Sequence, residues 1–494
     1  MRSFVKRLGH WMSAIGASLW LPVVVAQPDA STIDLQLCEL RVPGTVLTAS
    51  ARCGTLEVPE NPAEPDGRQI ALHIAVAQAT GSDIAPDPVF FFAGGPGQAA
   101  GDTWPMISST FNQLRKSRDI VLIDQRGTGR SNALRCEAVE ASFEDEVPLS
   151  LIRSHAEACL QGLSGDPRFY TSTIAMTDID RARAALGYDQ INVVGGSYGS
   201  RTAQLYTRMY PERVRTMTID SVVPMDLPLG TEHAGNLDQS IRAVFAACHA
   251  DTRCEALFGA ELDQLWNAIE ALRQVDGRLA IADPVTGETV DTPLSADLVV
   301  LALRMLSYSS DTQALLPMLV SEAIRDNDFS RLTQQAMMVA AELGEMISSG
   351  MELSVMCAED YPRFADYEPV VSARDTLMGD AFMERVIAAC EVWPKGEAPA
   401  DFGEPLTRDT PTLLLSGARD PVTPPRYADA VALGLMNSRH LIANGQGHSV
   451  MGIPCLREAM TDFIVAGTVS AIDDSCLETI QAAPFFETLT GPAP

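Results

Sequence analysis

Positive charge is what this chain has least of. Lys and Arg number 36 against 64 Asp and Glu in 494 residues, a formal net charge of −28. A surface of that sign repels phosphate backbones, which excludes nucleic-acid binding, and it disfavours polybasic docking to anionic lipid. It mildly favours a neutral or cationic substrate. Histidine is also scarce, with seven in the chain. No H-E-x-x-H and no clustered His set exists, so the sequence offers little for metal catalysis. No C-x-x-C pair exists either, which removes a thioredoxin-like or zinc-ribbon role. No internal repeat or long low-complexity run is present. Beyond the N-terminal stretch, no window of about 20 residues is apolar enough to span a membrane. The 46% hydrophobic content is that of an ordinary globular protein.

The N-terminus has the form of an export signal. Arg2, Lys6 and Arg7 precede a mostly apolar stretch over residues 11–26, which ends Val24-Val25-Ala26 before Gln27. Ser13, Ser18 and Pro22 interrupt it, which argues for cleavage after residue 26 rather than a retained anchor. The expected destination is the periplasm or the medium. All ten cysteines lie beyond that point. An even number in an oxidising compartment is read most simply as sequential disulfides, Cys38–Cys53, Cys136–Cys159, Cys248–Cys254, Cys357–Cys390 and Cys455–Cys476. Each would stabilise the fold by roughly 2–4 kcal/mol, mainly by restricting the unfolded chain. Free cytosolic thiols are the alternative, and they require the signal reading to fail too.

Short apolar runs at 54–58, 70–77, 89–92 and 120–124 read as strands, the first two as an antiparallel opening. A helix is expected over 178–186, a buried strand over 191–194, a helix over 198–210 and a strand over 216–223. Two more strands follow at 412–415 and 440–442. Strands alternating with helices predict an α/β fold with a mostly parallel central sheet flanked by helices. Between them, residues 230–383 are mostly helical in texture, with helical recurrence at 241–245, 262–272, 296–306 and 332–346. A chain that leaves a sheet for that long and returns carries an inserted domain. The expected division is core over 37–227, a mainly helical cap over 228–405 and core again over 406–494, with 394–405 as the return linker.

Four motifs carry chemistry. Gly195-Gly196-Ser197-Tyr198-Gly199 is a G-x-S-x-G turn between a strand and a helix, which pushes the Ser197 hydroxyl out above a sheet. Ala93-Gly94-Gly95-Pro96-Gly97 follows another strand and brings backbone N–H groups close to a reacting carbonyl. Gly95 and Tyr198 are the candidate oxyanion donors. No G-K-[ST] follows that loop, so it is not read as a phosphate site. Asp420 stands just past the 412–415 strand in Gly417-Ala418-Arg419-Asp420-Pro421, placed to orient a histidine. His448, in Gly445-Gln446-Gly447-His448, is the one histidine on a glycine-framed loop after the last core strand. The order Ser, Asp, His is that of α/β-hydrolases. The remaining loop, Asp124 to Ser131, lacks a reacting group. Its charged pair is expected to brace the oxyanion turn, with substrate contact by Arg126 a lesser possibility.

Together these stretches resemble the proline iminopeptidase and tripeptidyl aminopeptidase type of α/β-hydrolase, over about residues 37–476. The resemblance rests on AGGPG, DQRGTGRS, GGSYGS, GARDPVTP and GQGH. It implies Ser197 as nucleophile, His448 as base, Asp420 as orienting acid, a helical cap over the site, and removal of residues from free peptide N-termini. Proline iminopeptidases commonly show HGGPG; Ala93 stands at that histidine here, which weakens strict proline specificity. An exopeptidase must also recognise an α-amino group. Glu359 and Asp360, after Cys357, are the candidates for it, and Glu352 is a lesser one. An esterase, lactonase or amidase acting on small acyl compounds would use the same triad. A non-enzymatic reading would keep the fold and use the cap for binding. Neither chemistry calls for a cofactor.

Overall fold

The structure is a computed structural model and describes residues 33–136, 148–275, 277–282, 287–488 and 490–491. The expected signal segment, residues 1–26, lies outside them. The strands, in chain order, are β1 (Gln36–Arg41), β2 (Thr48–Pro59), β3 (Gln69–Ala77), β4 (Val89–Phe92), β5 (Ile120–Ile123), β6 (Ile191–Gly196), β7 (Val214–Asp220), β8 (Arg278–Ala282), β9 (Thr289–Pro293), β10 (Thr412–Gly417) and β11 (Ser438–Ala443). Nine of them form one sheet in the order β1-β2-β3-β5-β4-β6-β7-β10-β11. β1, β2, β3 and β5 pair antiparallel in turn; from β5 to β11 every neighbour is parallel.

Period-two alternation explains why the sheet is buried on both faces. Phe90, Phe92, Val121, Ile123, Ile191, Val193, Met217 and Ile219 share one core with helices Ser172–Ala185, Tyr198–Met209 and Pro425–Ala432. Val89, Phe91, Ile120, Leu122, Val194, Leu413 and Leu415 point the other way. They pack on Trp104 of helix Ala100–Ile107 and on Leu456, Met460 and Phe463 of helix Pro454–Ala466. Because β4, β6, β7, β10 and β11 run parallel, the loops that follow them leave the sheet at one edge.

Between β7 and β10 the chain builds a large helical insertion. Helices His233–Ala250, Thr252–Leu262, Leu265–Leu272, Ala296–Leu306 and Leu316–Asp326 enclose a core of their own, centred on Leu237, Ile241, Leu262, Leu303 and Val320. The insertion is not wholly helical: β8 and β9 form an antiparallel hairpin within it. The five sequential disulfides are closed, and no cysteine is free. That bonding pattern is one of extracytoplasmic proteins. Among the described residues no helix is long and apolar enough to cross a membrane.

The charged pair expected within the 124–131 loop is not made. Arg126 turns away into the core, where its Nε donates to Asp178 at 2.7 Å and its Nη1 to the Glu60 and Phe169 carbonyls at 2.8 Å each. It is fully buried, which rules out substrate contact. Asp124 instead takes the His73 ring at 3.1 Å and the N–H groups of Gly101 and Arg130 at 2.8 and 3.0 Å. A buried guanidinium needs acceptors on several sides, and the carbonyls around Glu60 supply them where a neighbouring loop carboxylate could not.

Candidate active site

The Ser197 turn is cramped for a visible reason. A side chain on Gly195 would run into the Gly199 carbonyl, and one on Gly199 into the Phe92 carbonyl, so β6, the following helix and β4 can meet only with hydrogen at both positions. Ser197 itself sits at φ +55° and ψ −127°, a strained conformation for a residue with a Cβ. It immediately precedes helix Tyr198–Met209, whose first N–H groups have no acceptor within the helix. The glycine loop after β4 lies against it: a Cβ on Gly94 would be 3.3 Å from the Ser197 Cβ. The loop that carries Gly95 therefore lies against the serine, and Tyr198 follows it directly in the chain.

Asp420 and His448 meet at the same edge. His448 Nδ1 is 2.8 Å from Asp420 Oδ2, which also accepts the Thr423 hydroxyl at 2.8 Å. The N–H groups of Val422 and Thr423 donate to Asp420 Oδ1 at 2.8 Å each. Burial would push the Asp420 carboxyl up, but the His448 charge and these donors outweigh it and hold it below its ordinary value. Burial pushes His448 down, and the Asp420 charge and hydrogen bond overcome that to raise it.

Asp220 and Ser221, at the end of β7, tie the serine to this pair. The Ser197 N–H donates to the Asp220 carbonyl at 3.0 Å. The Ser449 N–H donates to the Ser221 hydroxyl at 2.8 Å, and the Met451 N–H to Asp220 Oδ2 at 2.9 Å. The Ser197 turn and the His448 loop thus hang from two adjacent residues. Burial raises the Asp220 carboxyl to about 6. Sequence reasoning passed over Asp220; its signal was a carboxylate closing a buried strand. Among the described residues no hydrogen bond joins the Ser197 hydroxyl to His448, a contact of the kind that commonly tightens only when substrate is bound.

Glu359 and Asp360, expected at the substrate's amino group, are committed to the protein. Both are buried in a π-helical turn, Met356–Asp360. Glu359 accepts the Ser172 N–H at 2.6 Å and hydroxyl at 2.7 Å, and the Ser172 hydroxyl lies 2.5 Å from the Tyr198 hydroxyl. Asp360 Oδ1 accepts from Arg201 at 2.8 Å, Arg363 at 3.0 Å and the Leu229 N–H at 3.0 Å. The two carboxylates brace the helix behind Ser197 against the insertion. Burial lifts Glu359 to about 7 from 4.5. The fold therefore prefers it protonated, and its stabilising effect is complete below pH 4.5 and lost as pH rises through 7. Glu359→Gln keeps the shape without the charge. Urea denaturation at pH 5 and 8 should show the wild type losing on the order of 3 kcal/mol more than the variant across that interval.

Glu352 is placed differently. Its helix, Ser349–Val355, begins where the Ser348 N–H donates to the Gly97 carbonyl at 3.0 Å, so it springs from the glycine loop. Among the described residues its carboxylate accepts no hydrogen bond and forms no ion pair. Burial raises it to about 7, opposed by the charge of Arg304, which also acts on His448. Among the described residues no group of three or more His, Cys, Asp or Glu could hold a metal ion.

Residues 87–452 match the family model described as alpha/beta hydrolase fold. A tripeptidyl aminopeptidase of Streptomyces lividans is 28% identical over 474 residues, covering 86% of this chain and 83% of that protein. The serine protease Hip1 of Mycobacterium tuberculosis is 24% identical over 487 residues, 92% of each. A proline iminopeptidase of Neisseria gonorrhoeae is 30% identical over 135 residues, 27% of this chain and 32% of that one.

Proposed function

The chain belongs to the alpha/beta hydrolase fold family, and on that premise we propose that it is an exported serine aminopeptidase, releasing residues or short peptides from free peptide N-termini. Ser197 attacks the scissile carbonyl while His448 takes its proton, with Asp420 fixing the imidazole tautomer and steadying the imidazolium. The N–H groups of Gly95 and Tyr198 receive the oxyanion, which needs them more than the ground-state carbonyl does. His448 then protonates the leaving amine, and water activated by the same imidazole releases the acyl group from Ser197.

One observation carries the choice of a free amino terminus: Glu352, a half-buried carboxylate with no hydrogen bond or ion pair among the described residues, on a helix that starts at the glycine loop. An unpaired carboxylate in such a place is costly, and a substrate ammonium supplies the charge and donors it lacks. The binding partner is then cationic, as the acidic surface favours. The deciding experiment compares a peptide arylamide bearing a free amino group with its N-acetylated twin. The free form should be strongly preferred; equal turnover overturns the aminopeptidase and leaves an amidase or esterase. Glu352→Gln should lower kcat/KM on the free form by about 10²-fold, the usual scale for truncating one side of a buried charge pair, and leave the acetylated form unchanged.

A further inference from the structure

One turn of the insertion, between helices Ala296–Leu306 and Ser310–Gln313, reaches the His448 loop at the catalytic edge. There the Tyr308 carbonyl accepts the backbone N–H of His448 at 2.6 Å. The Tyr308 ring meets the imidazole edge to face, with centroids 5.2 Å apart and planes at 64°. Gln313 locks the turn, its Nε2 donating to the Ser307 carbonyl at 2.7 Å and to the Arg419 carbonyl at 3.2 Å. From helix His233–Ala250, Ser240 donates to the Arg419 carbonyl and Asn236 to the Val422 carbonyl, each at 2.7 Å. The residues on both sides of Asp420, and His448 itself, are therefore held by the insertion as well as by the sheet. The approach is so close that a side chain on Gly447 would run into the Tyr308 carbonyl.

We propose that Tyr308 is a positioning residue for His448, so that the inserted domain sets the orientation of the base as well as roofing the site. The imidazole has three restraints: its Nδ1 on Asp420 and the Thr423 hydroxyl, its loop on Asp220 and Ser221, and its ring and backbone N–H on Tyr308. The first two come from the sheet and leave the ring free to swing about the Asp420 bond. Tyr308 removes that freedom. A base misplaced by about 1 Å costs on the order of 10²-fold in rate. The inference rests on reading His448 as the base.

The test reads kcat, KM and the pH profile of Tyr308→Ala, Tyr308→Phe, Gly447→Ala and His448→Gln, on both the free-amino arylamide and a simple aryl ester. All rates are referred to the fraction folded by thermal melting. Tyr308→Ala should lose about 10²-fold in kcat with KM little changed. It also admits water to an imidazole whose largest influence is burial, acting downward. Its acid limb should therefore move to higher pH. The other charged or titratable groups facing His448 are Asp420, Asp220, Arg304 and the His233 ring, the last held neutral by burial, and none of them is altered. Tyr308→Phe keeps the ring and should rescue both readouts. Gly447→Ala should lower kcat by wedging the turn away while removing no side chain. If Tyr308→Ala does not fold, Tyr308→Leu fills the space without an aromatic edge and is read the same way. Tyr308→Ala with the wild-type kcat and acid limb, beside an inactive His448→Gln, overturns the inference. An active His448→Gln instead overturns the assignment of the base.

Discussion

In a Ser197→Ala enzyme, kcat is expected to fall by about 10⁶-fold on amide and ester substrates alike. The size follows from the role proposed for the hydroxyl, since no acyl-enzyme can form without it and water must attack unaided. The protein should stay folded. Ser197 is held at φ +55° by the crowding of Gly195 and Gly199 around it, and alanine at that position bears the same strain without adding to it. Its backbone anchor, the N–H donating to the Asp220 carbonyl, is untouched. Residual catalysis should come from the oxyanion donors and binding alone. A Ser197→Ala/His448→Gln double variant should then be no slower than either single one, because the residues act as a unit. Activity in Ser197→Ala within about tenfold of wild type would remove the serine mechanism, whatever the family.

The parts legible in the sequence are those that local crowding dictates. The Gly195–Gly199 turn announces itself because the close approach of three backbone segments permits no side chain at two of its positions. The buried strands β4 and β5 show as unbroken apolar runs, and β10 as a block of three leucines, because helices cover both faces of the sheet. β1 was not legible: five of its six residues are at least partly exposed, so no alternation marks it. The β8–β9 hairpin was missed in the same way, with Arg278, Thr289 and Asp291 on its exposed side. The carboxylates were misjudged for a different reason. Whether Asp360 faces a substrate or a guanidinium depends on Arg201, 159 residues away in the chain, and nothing near Asp360 records that distance. Tyr308 was invisible for the same cause, because its significance lies in meeting a histidine from another part of the fold. Local sequence reveals the reacting groups; the groups that aim them come from elsewhere in the chain.

Asp420→Asn should show most directly how that aiming works. In the wild type, Asp420 Oδ1 receives two N–H groups, from Val422 and Thr423, while Oδ2 faces the Thr423 hydroxyl and His448 Nδ1. The new amide must keep its oxygen toward the two N–H donors, which leaves its NH₂ pointing at His448. That forces Nδ1 to accept and puts the imidazole proton on Nε2, the nitrogen that has to receive the Ser197 proton. Loss of kcat by about 10⁴-fold is the expected result, the scale of a wrong tautomer with geometry intact. The pH profile carries a second, independent sign. His448 is raised above 6.5 in the wild type chiefly because the charge and hydrogen bond of Asp420 overcome burial, with a further upward push from Asp220. Activity, which needs the neutral imidazole, should therefore fall on the acid side with a midpoint above 6.5. With the charge removed, burial and Arg304 are opposed by Asp220 alone, and the residual activity should persist to lower pH than in the wild type. Steady-state kinetics across the acid range decide it. A variant as slow as expected but with its acid limb unmoved would mean that Asp420 orients His448 without setting its charge.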